Sequence, residues 1–129
     1  MRPGVGRRKS STWVGLTVLT KSTFMVIFFM EKRKPTYDLA SFRDAARRGD
    51  VAVTKTAAQA AQQLGFDYEG MMSVVESMER RHFYKSMTAY ADSTAWQDVY
   101  HVPSLAGILY VKFMAGRISA FDLLSFKEK

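Results

Sequence analysis

Tyr110 and Lys112 stand two residues apart in a run of alternating character, opposite Leu109, Val111 and Phe113. In a strand this puts a phenol and an ammonium on one face and an apolar stripe on the other. A second run sets Gln97, Val99 and His101 on one side and Trp96, Asp98 and Tyr100 on the other. In a third, Lys85 shares a side with Phe83 and Met87, an odd neighbourhood for a routine surface lysine. The closing run, with Lys127, mixes apolar and polar residues on both sides, so its register is not readable from pattern.

Lysine, arginine, tyrosine and glutamine suit cleavage of RNA without a metal. Attack of a ribose 2′-oxygen on its neighbouring phosphate needs a proton acceptor, a donor for the departing 5′-oxygen, and cations for the charge on phosphorus. Free lysine and tyrosine titrate near ~10.4 and ~10, but clustered cations disfavour one another's protonation and favour a phenolate. Read blandly, Lys85 snorkels to water, Gln97 is a polar edge residue, Tyr110 is half-buried core and Lys127 is a terminal charge. Composition alone favours that bland reading.

The rest of the chain excludes several other chemistries. It has 129 residues and no cysteine, so disulfides, Cys-ligated metals and thiol nucleophiles are ruled out. His82 and His101 are the only histidines, and no metal-binding spacing joins them. His101 has a suitable natural pKa for a base, but reads better as a satisfied strand histidine. There is no nucleophile elbow, phosphate-cradling glycine loop or carboxylate pair, and no metal or cofactor is expected. The net charge is +7. Residues 1–29 hold five basic residues and no acid, and residues 80–129 hold seven basic and four acidic ones. That field favours an anionic partner such as nucleic acid.

The elements that must carry these residues can be read from punctuation. Lys34-Pro35-Thr36-Tyr37 is an extended lead-in, and Asp38 caps a helix through about Arg48 that ends at Gly49. Val51 to Val53 is a short extended piece. Thr56 with Gln59 has capping-box spacing for a second helix to Gln63, closed by Leu64-Gly65. A third begins near Asp67 and places Tyr68, Met71, Met72, Val75 and Met78 on one core-facing stripe. Strands are expected over Phe83 to Ala91, Ala95 to Val102, Ile108 to Met114 and Arg117 to Lys127, as an antiparallel meander. Helices before strands make an α+β domain with about three helices packed on a mainly antiparallel sheet.

Residues 1–29 differ from the rest. Their apolar runs, Trp13 to Leu19 and Phe24 to Met30, are too short to span a membrane and are separated by Lys21. No cleavage site of small residues follows, which argues against a signal peptide. The favoured reading is an extension upstream of a natural start at Met30, disordered or loosely attached, ahead of one domain over 30–129.

Phe83-Tyr84-Lys85-Ser86-Met87-Thr88, Trp96-Gln97-Asp98-Val99-Tyr100, Tyr110-Val111-Lys112 and the ending Ser125-Phe126-Lys127-Glu128-Lys129 resemble the MqsR family of bacterial toxins. Met30-Glu31-Lys32-Arg33 resembles that family's start. The resemblance covers Met30 to Lys129 and implies a RelE-like ribonuclease fold. It also implies a cytoplasmic endoribonuclease that cuts single-stranded mRNA without the ribosome, preferring GC-beginning triplets. The implied partner is a zinc-containing, DNA-binding antitoxin of the MqsA type, and no membrane is involved. Carried over by motif, the family's active residues fall on Lys85, Gln97, Tyr110 and Lys127. Met87 and Lys112 lie in matched blocks as substrate-surface residues, and Arg80 and Arg81 are read as positioning RNA backbone. The hairpin around Ala115-Gly116 is longer than the family pattern and is expected to shift the site's rim. The alternatives are a non-catalytic RNA-binding or antitoxin-docking module on the same fold, and a membrane-surface protein anchored by residues 13–30.

Overall fold

The computed structural model describes residues 11–19, 25–88 and 95–129. Expectations that fall on 1–10, 20–24 and 89–94, including the Asp92-Ser93-Thr94 separator, lie outside the described residues. In chain order the elements are β1 (Ser11–Leu19), β2 (Met25–Lys32), α1 (Leu39–Arg48), β3 (Val51–Val53), α2 (Lys55–Gln63), α3 (Tyr68–Ser77), a 3-10 turn over Arg80–His82, β4 (Phe83–Thr88), β5 (Trp96–Ser104), β6 (Gly107–Ala115) and β7 (Phe121–Glu128). The strands form one sheet in the order β1-β2-β4-β5-β6-β7-β3. All pairings are antiparallel except β3 with β7. The expected meander is thus β4 to β7, within an α+β fold.

Local chemistry sets the helix ends. Asp38 accepts the Ser41 N–H, and Gly49 takes the left-handed conformation (φ 73°) that closes α1 over Arg47 and Arg48. Asp67 caps α3 by accepting the Gly70 N–H. The second helix departs from the expected capping box. It begins at Lys55, capped by Thr54, whose hydroxyl accepts the Ala57 N–H. Thr54 wins because it is tied into the sheet: its N–H donates to Leu123 O at 3.1 Å and its hydroxyl to Leu124 O at 3.2 Å. Tyr68 leaves the core stripe of α3. It is 39% exposed and donates its hydroxyl to Val51 O at 2.9 Å, while Met71, Met72, Val75 and Met78 are buried.

All three helices cover the same face of the sheet. Phe42 of α1, Ala57 and Ala61 of α2, and Met71 and Val75 of α3 pack with Tyr100, Leu109, Val111, Phe113, Leu123 and Phe126 in one core. Phe42 stacks on Phe113 with ring centroids 3.7 Å apart. The lead-in segment is anchored there by a fully buried carboxylate. Asp98 accepts the Thr36 N–H at 3.0 Å and the Tyr37 N–H at 2.8 Å. No helix among the described residues is long and apolar enough to cross a membrane.

The final strand starts at Phe121, four residues later than expected. Gly116 N–H donates to Ala120 O and Ala120 N–H to Asp50 Oδ1, which holds residues 116–120 as a loop. A Cβ at Gly116 would collide with the Ser119 carbonyl oxygen. N-terminal to Met30, the backbone forms β1 and most of β2. This hairpin meets the rest of the sheet through the pairs Glu31↔Met87 and Lys32↔Ser86.

Removing the fully buried Asp98 carboxylate takes the acceptor from two part-buried amides of the lead-in. Asp98→Ala is therefore expected to lower unfolding free energy by roughly 2–3 kcal/mol. Urea denaturation checks this, with an unchanged midpoint as the contrary result.

Candidate active site

Two β-bulges decide which side chains reach the face opposite the helices. Phe83 pairs with Tyr100 and Lys85 with Val99, so Tyr84 is an extra residue in β4. Phe83 then turns to the helix side, 5.4 Å from the Tyr100 ring, while Lys85 and Met87 face the open side. The expectation that Lys85 shares a side with Phe83 is corrected by this bulge, which removes the oddity of that neighbourhood. In β7, Lys112 pairs with Ser125 and Phe113 with Leu123, so Leu124 is extra. Phe121 and Leu123 therefore face the core along with Phe126, whereas Ser125 and Lys127 face the open side. This shift in alternation is why β7 could not be read from pattern.

The open face brings together most of the expected residues. Lys85, Val99, Lys112 and Ser125 form one row across β4 to β7. His101, Tyr110 and Lys127 form the next, with Lys127 Nζ 5.3 Å from the centre of the Tyr110 ring. Met87 pairs with Gln97 on the other side of the Lys85 row, and Gln97 is nearly buried. Val99 is fully buried outside the helix-side core, flanked by the aliphatic stems of Lys85 and Lys112.

Arg80 and Arg81 stand apart from this group. Arg80 lies 5.7 Å from the Phe83 ring, which faces the helices, and Arg81 donates to Glu79 at 2.6 Å. The long β6–β7 hairpin is also remote. It joins the ends of those strands opposite to Tyr110 and Lys127.

Two side chains of the face were not singled out from sequence. Tyr84, more than a third exposed, stacks on His101 with centroids 4.3 Å apart, and Lys85 Nζ sits 5.3 Å from its ring. An aromatic platform beside cations is the form that single-stranded nucleic acids stack on. Glu31 of β2 is buried and accepts a hydrogen bond from Lys85 Nζ. The neighbourhood of Lys85 in sequence hinted at a bulge and hence at Tyr84. No local signal pairs Glu31 with a lysine 54 positions away.

Burial governs the titrations. The Tyr110 hydroxyl is pushed above its ordinary pKa by burial, against the opposing charge of Lys85 and with help from Tyr84 and Glu31. The phenolate expected from clustered cations is thereby corrected: Tyr110 stays protonated because desolvation outweighs the lysine. Lys112 is held below the usual lysine value by burial first, then by Lys127 and Lys85. His101 is lowered by burial, then by Lys129 and Lys85. Among the described residues no group of three His, Asp or Glu side chains is placed to hold a metal.

Because Lys129 is the stronger of the two cations that lower His101, Lys129→Gln is expected to raise the His101 titration midpoint. In the unsubstituted protein that midpoint lies below the ordinary imidazole value. NMR of the ring Cε1–H across pH measures both, and a midpoint that drops or stays fixed on substitution contradicts this electrostatic picture.

Residues 34–128 match the family described as motility quorum-sensing regulator, toxin of MqsA. The chain is 40% identical over 100 residues to the mRNA interferase toxin MqsR of Escherichia coli (strain K12), covering 78% of this chain and all of that protein. The chain belongs to the MqsR toxin family.

Proposed function

We propose that this protein is a toxin endoribonuclease that cleaves single-stranded mRNA, without the ribosome, at short GC-beginning sequences. Growth arrest follows, and an MqsA-type zinc-containing, DNA-binding antitoxin relieves it. The observation that carries the reading is the convergence of Lys85, Tyr110, Lys112 and Lys127 on one open face of the sheet in a member of this family. Under it the nuclease domain spans 30–129 and residues 1–29 are an extension outside it.

The ribose 2′-oxygen attacks the adjacent phosphate, and the 5′-oxygen leaves. Lys85 and Lys127 hold the non-bridging oxygens as charge builds on phosphorus. Gln97 orients the RNA beside Met87, and Tyr84 stacked on His101 supports a base.

Proton transfer follows from the opposed shifts of Tyr110 and Lys112, which stand two residues apart on one face of β6. Lys112, lowered, accepts the 2′-hydroxyl proton in its free-amine form. Tyr110, raised, donates its proton to the departing 5′-oxygen. Opposed shifts of this sense ease proton loss from the lysine and hold the proton on the tyrosine.

Labelled RNA incubated with the protein in excess chelator is expected to be cut, leaving 2′,3′-cyclic phosphate ends. Tyr110→Phe and Lys127→Ala are expected to slow cleavage by roughly 100-fold or more. Retarded but uncut RNA would favour the binding-module alternative.

The pH dependence carries a definite sign. The rate rises with pH as Lys112 loses its proton, below the ordinary lysine value, and falls only when Tyr110 ionises, above the ordinary tyrosine value. Lys112→Gln is expected to remove the rising limb in a kcat profile. A profile that falls steadily from neutral pH upward contradicts the assignment.

A further inference from the structure

A carboxylate is out of place on a face that takes phosphate, because it repels the substrate and is itself costly to bury. Glu31 nevertheless lies there, its side chain 8% exposed, paired with Lys85 at 17%. Its other oxygen is 3.6 Å from Arg33 Nη1, on a side chain 69% exposed, so Lys85 is its close, enclosed partner. Glu31 pairs in register with Met87, diagonal to Lys85, which is the geometry that lets a glutamate reach the lysine across two strands.

Lys85 needs such a partner. Its neighbours across the row include Lys112, whose titration registers both Lys127 and Lys85 as nearby cations. A flexible ammonium surrounded by like charges swings to water unless something holds it. One N–H of the ammonium goes to Glu31, and among the described residues no other side-chain hydrogen bond takes its two remaining donors, which can serve phosphate oxygens.

We propose that Glu31 is a positioning residue for RNA cleavage, fixing the Lys85 ammonium where the scissile phosphate must meet it. This rests on the endoribonuclease reading above. Nearly enclosed behind Lys85, Glu31 acts through that lysine and not by touching the RNA. Its contribution therefore falls on the chemical step, since backbone attraction along the strand comes from the whole cationic face.

The test compares the full chain with Glu31→Gln and Glu31→Asp on one short RNA oligonucleotide in excess chelator. It adds thermal melting and NMR of 15N-labelled lysine ammonium groups. Glu31→Gln keeps the shape but not the charge, so KM is expected to stay within about twofold while kcat falls roughly 10–100-fold. Glu31→Asp keeps the charge at a shorter reach and is expected to recover part of the loss. The Lys85 ammonium signal is expected to be sharp in the unsubstituted protein and to vanish in Glu31→Gln through faster exchange. Should Glu31→Gln fail to melt cooperatively, Glu31→Asp must itself show the smaller, kcat-only loss.

A Glu31→Gln rate equal to the unsubstituted one, a loss carried entirely by KM, or an aspartate no better than glutamine overturns the proposal while leaving the nuclease reading in place. An unsubstituted protein that leaves the RNA whole sinks the nuclease reading, and this inference with it.

Discussion

Side chains alternate along a strand with a period of two, and only an inserted residue changes which of them share a face. The candidate site depends on two such insertions. Without Tyr84 as an extra residue, Lys85 would lie on the same face as Phe83, and one of the two would have to give up its environment. Without Leu124 as an extra residue, Lys127 would follow the parity of Leu123 into the core. Each bulge is held by a side-chain contact beyond the ladder hydrogen bonds. Tyr84 is stacked on His101, and the Leu124 carbonyl accepts the hydroxyl of Thr54 at the head of α2.

A one-sided core makes the other face available. The helices supply Phe42, Ala57, Ala61, Met71 and Val75 to the same side, so most large apolar residues of β4 to β7 are drawn there, and Lys85, Tyr110, Lys112 and Lys127 are left opposite. That opposite face is not ordinary wet surface. Lys112 and Tyr110 are both sufficiently enclosed that burial is the first cause of their shifts, in opposite directions. Partial enclosure makes a phenol hold its proton and an ammonium release one. The Glu31 carboxylate counters the crowding of like charges in this setting. It places one negative group against Lys85 and is itself shielded by that lysine.

Much of this architecture was legible in the chain. Asp38, Gly49 and Asp67 mark helix ends through their own side-chain or backbone chemistry, and the alternation of β5 and β6 assigned the faces of Gln97, His101, Tyr110 and Lys112 correctly. Thr56 with Gln59 misled because a capping box is a local pattern, whereas Thr54 is selected by its bonds to β7, which is 70 residues away. The start of β7 was placed too early because Arg117 to Ala120 satisfies the hydrogen bonds of a loop pinned by Asp50. Arg80 and Arg81 were grouped with the site by their charge. One lies over a core-facing ring and the other is engaged by Glu79.

Local pattern was enough for the caps of α1 and α3, the meander, the exclusion of cysteine chemistry and the residue types that reach the open face, because each depends on local propensity or on a period of two. Tertiary structure alone decided that Lys127 joins Tyr110, that Tyr110 keeps its proton and that Glu31 holds Lys85. The first depends on a register shift between strands, the second on how much water the neighbouring elements exclude, and the third on a contact between strands 54 residues apart. No window of sequence contains any of these.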